Sequence, residues 1–158
     1  MNIELWDIGR VIPYARNARK IPDKAVTKVA ASIKEFGWRQ PIVVDRERVI
    51  IVGHVRLLAA QKLGLTQVPV HVAENLTPAQ VKAYRIMDNR SHQETDWDIK
   101  LLEPEIAELK DLEYDLDLTG FDAREIDILL GLTQADEKEN AVPPLPTHPV
   151  TRPGEFWR

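Results

Sequence analysis

Apolar residues recur three and four positions apart early in the chain. They are Val26, Val29, Ala30, Ile33 and Phe36. This spacing lines one face of a helix. Asp23 is a suitable N-cap before these residues, and Gly37 after them is a residue type that commonly ends helices. The pattern therefore predicts a helix over residues 24–36.

The next pattern consists of two β-branched runs on either side of a short polar stretch. In "PIVVDRERVIIVG", residues 41–53, the letters DRER separate the two apolar runs. This arrangement predicts a hairpin or two closely paired strands. A helix is expected over residues 56–63, ending at Gly64, and the run "VPVHV", residues 68–72, predicts a third strand.

Helical patterns then continue as far as Thr133. Thr77 followed by Pro78 is an N-cap followed by proline at the first helical position, so "PAQVKAYRIMDNR" is predicted to be helical. From Trp97 onward the pattern is helical and acidic, and Pro104 is expected to begin a new turn or helix. "FDAREIDILLG" predicts one more helix, capped by its aspartate and ended by its last glycine.

The order helix, strand, strand, helix, strand, followed only by helices, predicts the α/β (α+β) class, with a small sheet packed with helices. The expected division is a domain over residues 1–92, an acidic helical subdomain over 93–132 and a Pro-rich linker over 133–158. Five of the eleven prolines lie within residues 143–153. The linker is therefore predicted to be extended and the least ordered part of the chain, and a well-packed strand or helix through 143–149 would contradict this.

Charge is divided unevenly along the chain. Residues 1–92 carry 15 Lys/Arg against 8 Asp/Glu, and residues 93–132 carry 3 against 13, within an overall net charge of −4. A basic segment suits phosphate-bearing partners, and an acidic segment can shield it or pair with it. The same division also fits two solvated faces of one domain, and the charge count alone leaves both interpretations open.

Composition excludes several classes of protein. The apolar fraction of 44% is enough for an ordinary core, which argues against a disordered chain. No apolar run approaches the roughly 20 residues of a membrane span, and the N-terminus has no signal pattern. We therefore expect a cytoplasmic protein with no membrane partner. The absence of cysteine excludes disulfides, thiolate zinc sites and thiol-based catalysis.

The stretch "IIVGHVRLLAAQKLG", residues 50–64, places a strand, a glycine and a helix in direct succession. The first backbone N–H groups of such a helix carry partial positive charge and attract phosphate. Gly53 permits close approach of the backbone, His54 can donate or accept a hydrogen bond, and Arg56 can grip two phosphate oxygens. Strand, glycine and helix also occur together in most α/β folds, so this junction alone does not identify a phosphate site.

Five quoted segments together resemble a known family. "GHVRLLAAQKLG" resembles the "GERR" box of the ParB N-terminal domain, and the flanking segments follow in the order of that family. Upstream of the box lie "VIPYARNARKI" and "SIKEFGWRQPIVV", and downstream lie "LGLTQVPVHV" and "MDNRSH". The resemblance covers residues 3–90.

This resemblance implies a small α/β domain related to sulfiredoxin, in which the segments gather around a nucleoside triphosphate. In the partition proteins of the family the nucleotide is CTP with Mg²⁺, and its binding controls how the protein clamps on DNA; for this chain ATP remains an alternative. No metal-ligating residue is assigned. Carried over by position, the nucleotide-binding residues are Arg16, Asn17, Arg19, Gln40, Gly53, His54, Arg56, Asn89 and Arg90.

The chain departs from the family pattern in several respects. His54 stands where the partition proteins have glutamate and Val55 where they have arginine, which argues against CTP hydrolysis. Sulfiredoxin chemistry is excluded because the chain has no cysteine. The helices after Arg90 are acidic, which is unfavourable for contact with a DNA backbone. We therefore expect no recognisable helix-turn-helix and no centromere recognition by this chain.

The final segment "HPVTRPGEFWR" resembles the stretch that introduces the catalytic domain in DNA amino-methyltransferases with an N-terminal ParB-like domain. The chain itself contains neither a "DPPY"-type motif nor a glycine-rich cofactor loop. These features lead us to expect the N-terminal part of a phage- or plasmid-type DNA methyltransferase.

Three functions compete at this stage. The first is a nucleotide-binding regulatory or DNA-associated module, and the second is a ParB-like nuclease or phosphotransferase that uses the same pocket. The third is a protein interaction platform. Metal-assisted phosphate chemistry needs oxygen ligands, for which the candidates are Glu35, Asp45, Glu74 and Asp88. None of them forms a spaced pair, so binding is favoured and any enzyme activity is expected to be at most slow triphosphate or nucleic-acid hydrolysis. The DNA target and a homodimer are left open.

Overall fold

A computed structural model describes residues 2–91 and 94–133. The strands are β1 (Glu4–Asp7), β2 (Ile42–Val44), β3 (Ile50–Val52) and β4 (Gln67–Val72). The helices are α1 (Asp23–Phe36), α2 (His54–Lys62), α3 (Pro78–Ser91), α4 (Ile99–Asp111) and α5 (Ala123–Leu129). Short 3-10 turns lie at Ile8–Arg10 and Leu116–Thr119.

The strands form one four-stranded sheet in the order β1-β4-β2-β3. Strands β2 and β3 pair antiparallel across a tight turn, in which the Asp45 carboxylate accepts a hydrogen bond of 2.8 Å from the Val49 N–H. Strand β4 lies parallel to β2, because α2 carries the chain over the sheet before it returns. The predicted hairpin, third strand and mixed α/β class are confirmed.

Strand β1 was not predicted from the sequence. It pairs antiparallel with β4, with Glu4 opposite Val70 and Asp7 opposite Gln67. Only Trp6 of its four residues is buried, and Leu5 is 68% exposed. A short edge strand with one buried residue shows no alternating pattern that sequence reading could detect.

The main core lies between one face of the sheet and α2. Its fully buried members are apolar residues of strands β2, β3 and β4 and of α2: Ile42, Val44, Ile50, Val68, Val70 and Ala60. Alternate residues of the same strands face the other side of the sheet, where Val43 and Ile51 pack against Val81 of α3. Helix α1 packs on α2 through Val26, Ala30 and Ala59. Helices therefore cover both faces of the sheet.

Three predicted helix boundaries are wrong. Helix α2 begins at His54 rather than at residue 56, because Gly53 ends the strand in the left-handed region and serves as the N-cap. Asp23 is the first residue of α1 and not its cap. Pro104 lies inside α4, whose start is fixed earlier by the Asp98 carboxylate, which accepts a hydrogen bond from the Lys100 N–H.

Helices α4 and α5 pack against each other, and the segment between them contacts α1. Asp122 caps α5 in a reciprocal capping box and also forms an ion pair of 3.0 Å with Lys24 of α1. The Tyr114 hydroxyl donates to Glu35, also on α1, at 3.3 Å, and Lys28 donates to the Gly120 carbonyl. The acidic segment therefore contacts lysines of the basic segment.

No helix within residues 2–91 and 94–133 is long and apolar enough to cross a membrane. Apart from Thr133, the predicted Pro-rich linker, including residues 143–149, lies outside the described residues.

The packing predicts the cost of truncating the core. Ile50 has no exposed surface, so Ile50→Ala leaves a cavity and should lower the free energy of unfolding by about 2–5 kcal/mol. Leu5→Ala, at an exposed position of β1, should lower it by about 0.5 kcal/mol or less. Urea unfolding of the two variants measures both values, and equal losses would contradict this assignment of the core.

Candidate functional site

A cavity of about 810 Å³ lies where α2 begins. Helix α1 lines one side, the junction between β3 and α2 lines another, and the C-terminal turn of α3 contributes Asp88. Of the nine nucleotide-binding residues predicted from the sequence, this cavity brings together Asn17, Arg19, Gln40, Gly53, His54, Arg56 and Asn89. These seven residues come from four separate segments of the chain.

Gly53 makes the close packing at the junction possible. Its φ is +108°, a conformation that other residues adopt only with strain. A Cβ atom at this position would lie 3.3 Å from the Ile42 Cα and 3.3 Å from the Arg56 Nη1. Within the described residues no side chain caps the N-terminus of α2, so the first N–H groups of this helix are available to a ligand.

Arg56 is partly buried. Its Nη1 donates to the Pro41 carbonyl at 3.3 Å, and its Nη2 donates to the Gln40 side-chain oxygen. Burial lowers the pKa of the Arg56 guanidinium, while the Asp88 carboxylate acts in the opposite direction. The group remains cationic because arginine is not deprotonated in proteins, and the contacts with residues 40 and 41 fix its direction at the cavity.

His54 joins the N-terminal segment to the start of α2. Its Nε2 accepts a hydrogen bond of 3.2 Å from the Tyr14 N–H, which assigns the ring proton of the neutral imidazole to Nδ1. Burial, and secondarily the charge of Arg85, lower the pKa of His54. His54 is therefore a neutral residue that holds the first segment in place.

The side chain of Arg19 separates this cavity from a second one. Arg19 Nη1 donates to the Asn89 carbonyl at 3.0 Å, and the Asn17 side-chain oxygen accepts from the Arg19 N–H at 3.2 Å. The Asn89 amide in turn donates to the Arg85 carbonyl at 2.8 Å. Asn17, Arg19, Lys20 and Asn89 line both cavities.

Arg16 and Arg90 line the second cavity, of about 580 Å³, and not the first. Both side chains are exposed, and Arg90 forms an ion pair of 2.5 Å with Glu94. The nine predicted residues are thus divided between two adjoining cavities.

Arg85 is a site residue that the sequence analysis did not identify. It lines the second cavity and is only 7% exposed. Its position in α3 provides a signal: Arg85 follows Val81 by four residues and therefore lies on the same, buried face of the helix. A charged residue on the buried face of a helix requires a partner or a function.

The four candidate acidic residues do not gather at one point. Asp88 lines the first cavity, Asp45 lies 3.8 Å from Arg85, and Glu35 accepts a hydrogen bond from Tyr114. Among residues 2–91 and 94–133 there is no group of three or more His, Cys, Asp or Glu that could hold a metal ion. Mg²⁺ commonly binds one or two carboxylates together with the phosphates of a nucleotide, so Asp88 fits an ion that is held largely by its ligand.

Comparison with known families identifies the domain. The ParB N-terminal domain family matches residues 3–89. The chain belongs to this family. A relative, the ParB-like nuclease domain-containing protein YnaK of Escherichia coli (strain K12), is 44% identical over 68 residues, which are 43% of this chain and 78% of that protein.

Solved structures share the architecture. The C-terminally truncated chromosome-partitioning protein ParB from Caulobacter crescentus, complexed with CTP-gamma-S, superposes with a TM-score of 0.68 at 22% identity, over 89% of this chain and 83% of that chain. The ParB-like fold is therefore confirmed. A weaker likeness, with a TM-score of 0.46 at 21% identity, is to sulfiredoxin from Arabidopsis thaliana, over 53% of this chain and 97% of that chain.

A second family match corrects one expectation. The ParB-methyltransferase HTH domain matches residues 100–153. The expectation that no recognisable helix-turn-helix follows the ParB-like domain is therefore wrong. It rested on the acidic charge of these helices, but a helix-turn-helix is defined by how two helices pack across a turn, and net charge does not report that packing. Helix α5 and all but the first residue of α4 lie within the matched range.

The geometry at the junction predicts the effect of Gly53→Ala. The variant should lose about 1–2 kcal/mol of unfolding free energy from its left-handed backbone, and more from the contact of the new Cβ with Ile42. Gly64→Ala is the matched control, because Gly64 also has positive φ but has no heavy atom within 4 Å of the point that an added methyl group would occupy. Urea unfolding of both variants checks this, and an equal loss would contradict close packing at Gly53.

Proposed function

We propose that the chain is a regulatory or DNA-associated module that binds a nucleoside triphosphate, with CTP favoured over ATP, in the 810 Å³ cavity at the start of α2. The observation that carries the proposal is the convergence of seven residues from separate segments on the uncapped N-terminus of α2. The cavity lies within the roughly 300–1,000 Å³ range of small-molecule sites.

Phosphate recognition follows from the charges around this helix end. The N-terminus of α2 presents backbone N–H groups and the positive end of the helix dipole. Arg56 adds a guanidinium whose direction is already fixed by Gln40 and Pro41, so little side-chain entropy is lost when it binds phosphate. Arg19 adds a second cation to the cavity lining, where it donates a hydrogen bond to the Asn89 carbonyl.

The preference for CTP rests on likeness of fold. The Caulobacter crescentus ParB that shares the fold was solved with CTP-gamma-S, and its overall architecture matches that of this chain. For a bound Mg²⁺ ion, Asp88 is the residue that we propose as ligand; the ion would neutralise phosphate charge. Of the four acidic residues considered, only Asp88 lines the cavity, which favours binding over the alternative nuclease or phosphotransferase.

The match to a ParB-methyltransferase HTH domain supports a role at DNA and attachment to a phage- or plasmid-type DNA methyltransferase. In this proposal the ParB-like domain senses the nucleotide, and DNA is contacted through the helix-turn-helix segment and the basic residues of the first domain. Helix α1 lines the cavity and also pairs with the acidic helical subdomain through Lys24 and Asp122. It is therefore the physical connection that we propose between the two activities.

Nucleotide binding should appear as a rise in melting temperature. With Mg²⁺ present, CTP should raise the melting temperature more than ATP, GTP or UTP, because at equal concentration the ligand that binds the folded state more tightly stabilises it more. A thermal-shift panel with the four nucleotides measures this. No shift with any of them would overturn the proposal.

Arg56→Ala should lower CTP affinity about tenfold or more, because charged hydrogen bonds are worth roughly 1.5–3 kcal/mol each. Calorimetry measures the affinity. Arg19→Ala removes the second cation that lines the same cavity and should weaken binding in the same way, whereas Arg124→Ala, at an exposed arginine in α5 that lines neither cavity, should leave it unchanged. If Arg56 serves only to hold Gln40 and Pro41, its loss lowers the free energy of unfolding without changing the CTP affinity. That outcome would contradict the assignment of Arg56 to a phosphate group.

Direct contact of the basic domain with DNA phosphates predicts strong salt dependence. Binding to DNA of arbitrary sequence should be weak. The logarithm of the association constant should fall linearly with the logarithm of salt concentration, because binding releases counterions from the DNA. Fluorescence anisotropy at several salt concentrations measures the slope. Tight binding that does not depend on salt concentration would contradict contact through the basic residues.

A further inference from the structure

The second cavity has an unusual charge composition. About 580 Å³ in volume, it adjoins the first cavity across Arg19 and Asn89. Among the described residues no carboxylate lines it. Its lining includes six cationic side chains: Arg16, Arg19, Lys20, Lys82, Arg85 and Arg90.

Arg85 is the buried member of this group. Its Nε donates to the Ile50 carbonyl at 3.0 Å, and its guanidinium stacks 3.7 Å from the centre of the Tyr14 ring. The Asp45 carboxylate lies 3.8 Å from Nη2, beyond the range of a good hydrogen bond. Within the described residues, the two terminal nitrogens of Arg85, Nη1 and Nη2, donate no hydrogen bond, whereas Nε does.

Burying a guanidinium is costly unless it is paired and its donors are satisfied. The Ile50 carbonyl, the Tyr14 ring and the Asp45 carboxylate fix the plane of the Arg85 guanidinium, and both Arg85 and Tyr14 line the cavity. Lys82 and Arg85 are three residues apart in α3, and Asn89 follows four residues later, so all three face the cavity from one side of the helix. A rigid, buried fork beside flexible exposed cations suits an anion with several oxygens.

We infer that this second cavity is an anion site that takes a phosphate group of a small phosphorylated molecule, with Arg85 as its buried centre and Lys82 as an exposed contributor. The site stands on its own residues and does not require the first cavity to bind a nucleotide. The phosphate has two sources of the same chemistry: the outer phosphates of a nucleotide seated in the adjoining cavity, or a separate small anion.

Titration of the whole chain with inorganic pyrophosphate, followed by calorimetry, tests the inference. Wild type should bind pyrophosphate. Lys82→Ala should weaken this binding about three- to fivefold, the effect of one solvent-exposed charge, and Arg85→Met should abolish it. Lys100→Ala removes an exposed lysine of α4 that lines neither cavity and should match wild type.

Absence of pyrophosphate binding to wild type, or unchanged affinity in Lys82→Ala, would overturn the inference. Arg85→Met removes one member of a buried charged group, so its fold is checked by far-UV circular dichroism. If this variant does not fold, the test is the pyrophosphate affinity of Lys82→Ala compared with that of the control Lys100→Ala.

Repeating the titration with CTP present distinguishes the two sources. If the outer phosphates of the nucleotide occupy the second cavity, CTP excludes pyrophosphate and Lys82→Ala also weakens CTP binding. If the anion is separate, both ligands bind together and Lys82→Ala leaves CTP affinity unchanged. Both results agree with an anion site in the second cavity and differ only in the source of the phosphate. Should CTP fail to bind at all while pyrophosphate binding remains sensitive to Lys82, the nucleotide proposal fails and the anion site stands.

Discussion

The burial of the Arg85 guanidinium is the constraint on which the arrangement of the site depends. A charge in a low-dielectric interior must be compensated, and three separate parts of the chain supply the compensation. The Ile50 carbonyl comes from β3, Asp45 from the hairpin turn, and the Tyr14 ring from the N-terminal segment. Helix α3 is thereby tied to the sheet and to the segment that precedes α1.

Arg85 also acts on the junction at the start of α2. Burial, and secondarily the charge of Arg85, lower the pKa of His54, whose neutral ring accepts a hydrogen bond from the Tyr14 N–H. Tyr14 therefore contacts both residues, through its ring and through its backbone. Because Asn89 bonds the Arg85 carbonyl and accepts from Arg19, the boundary between the two cavities rests on the same helix.

Helix α1 lies between the first cavity and the acidic segment and contacts both. One of its sides faces the first cavity, and its lysines pair with the acidic segment at Asp122 and at the Gly120 carbonyl. The Lys24–Asp122 pair is solvent-exposed, with 65% and 42% of the two side chains accessible, and pairs of this kind are weak and sensitive to salt. The apolar packing of Ile106 and Ile126, which are buried, therefore carries more of the stability of the acidic segment than the ion pair does.

The sequence by itself determined the elements whose signals are local. Helices α1, α3 and α5, the hairpin and strand β4 follow from apolar spacing and from capping residues such as Thr77 and Asp122, which act within a few residues of themselves. The quoted segments were also sufficient to identify the family and seven residues of one cavity. The order of motifs along a chain can be recognised without knowledge of the contacts between them. The same local view failed where acidic charge was read as evidence against a helix-turn-helix.

Tertiary structure decided what depends on residues distant in the chain. Strand β1 exists because Glu4 to Asp7 pair with β4 sixty or more residues later, and no local pattern encodes such pairing. The partial burial of Arg56 follows from its contacts with Gln40 and Pro41. The division of the nine predicted residues between two cavities, with Arg85 at the buried side of one, required the positions of α3 and the N-terminal segment relative to each other. Such positions are set by packing and by compensation of buried charge, which a sequence pattern does not contain.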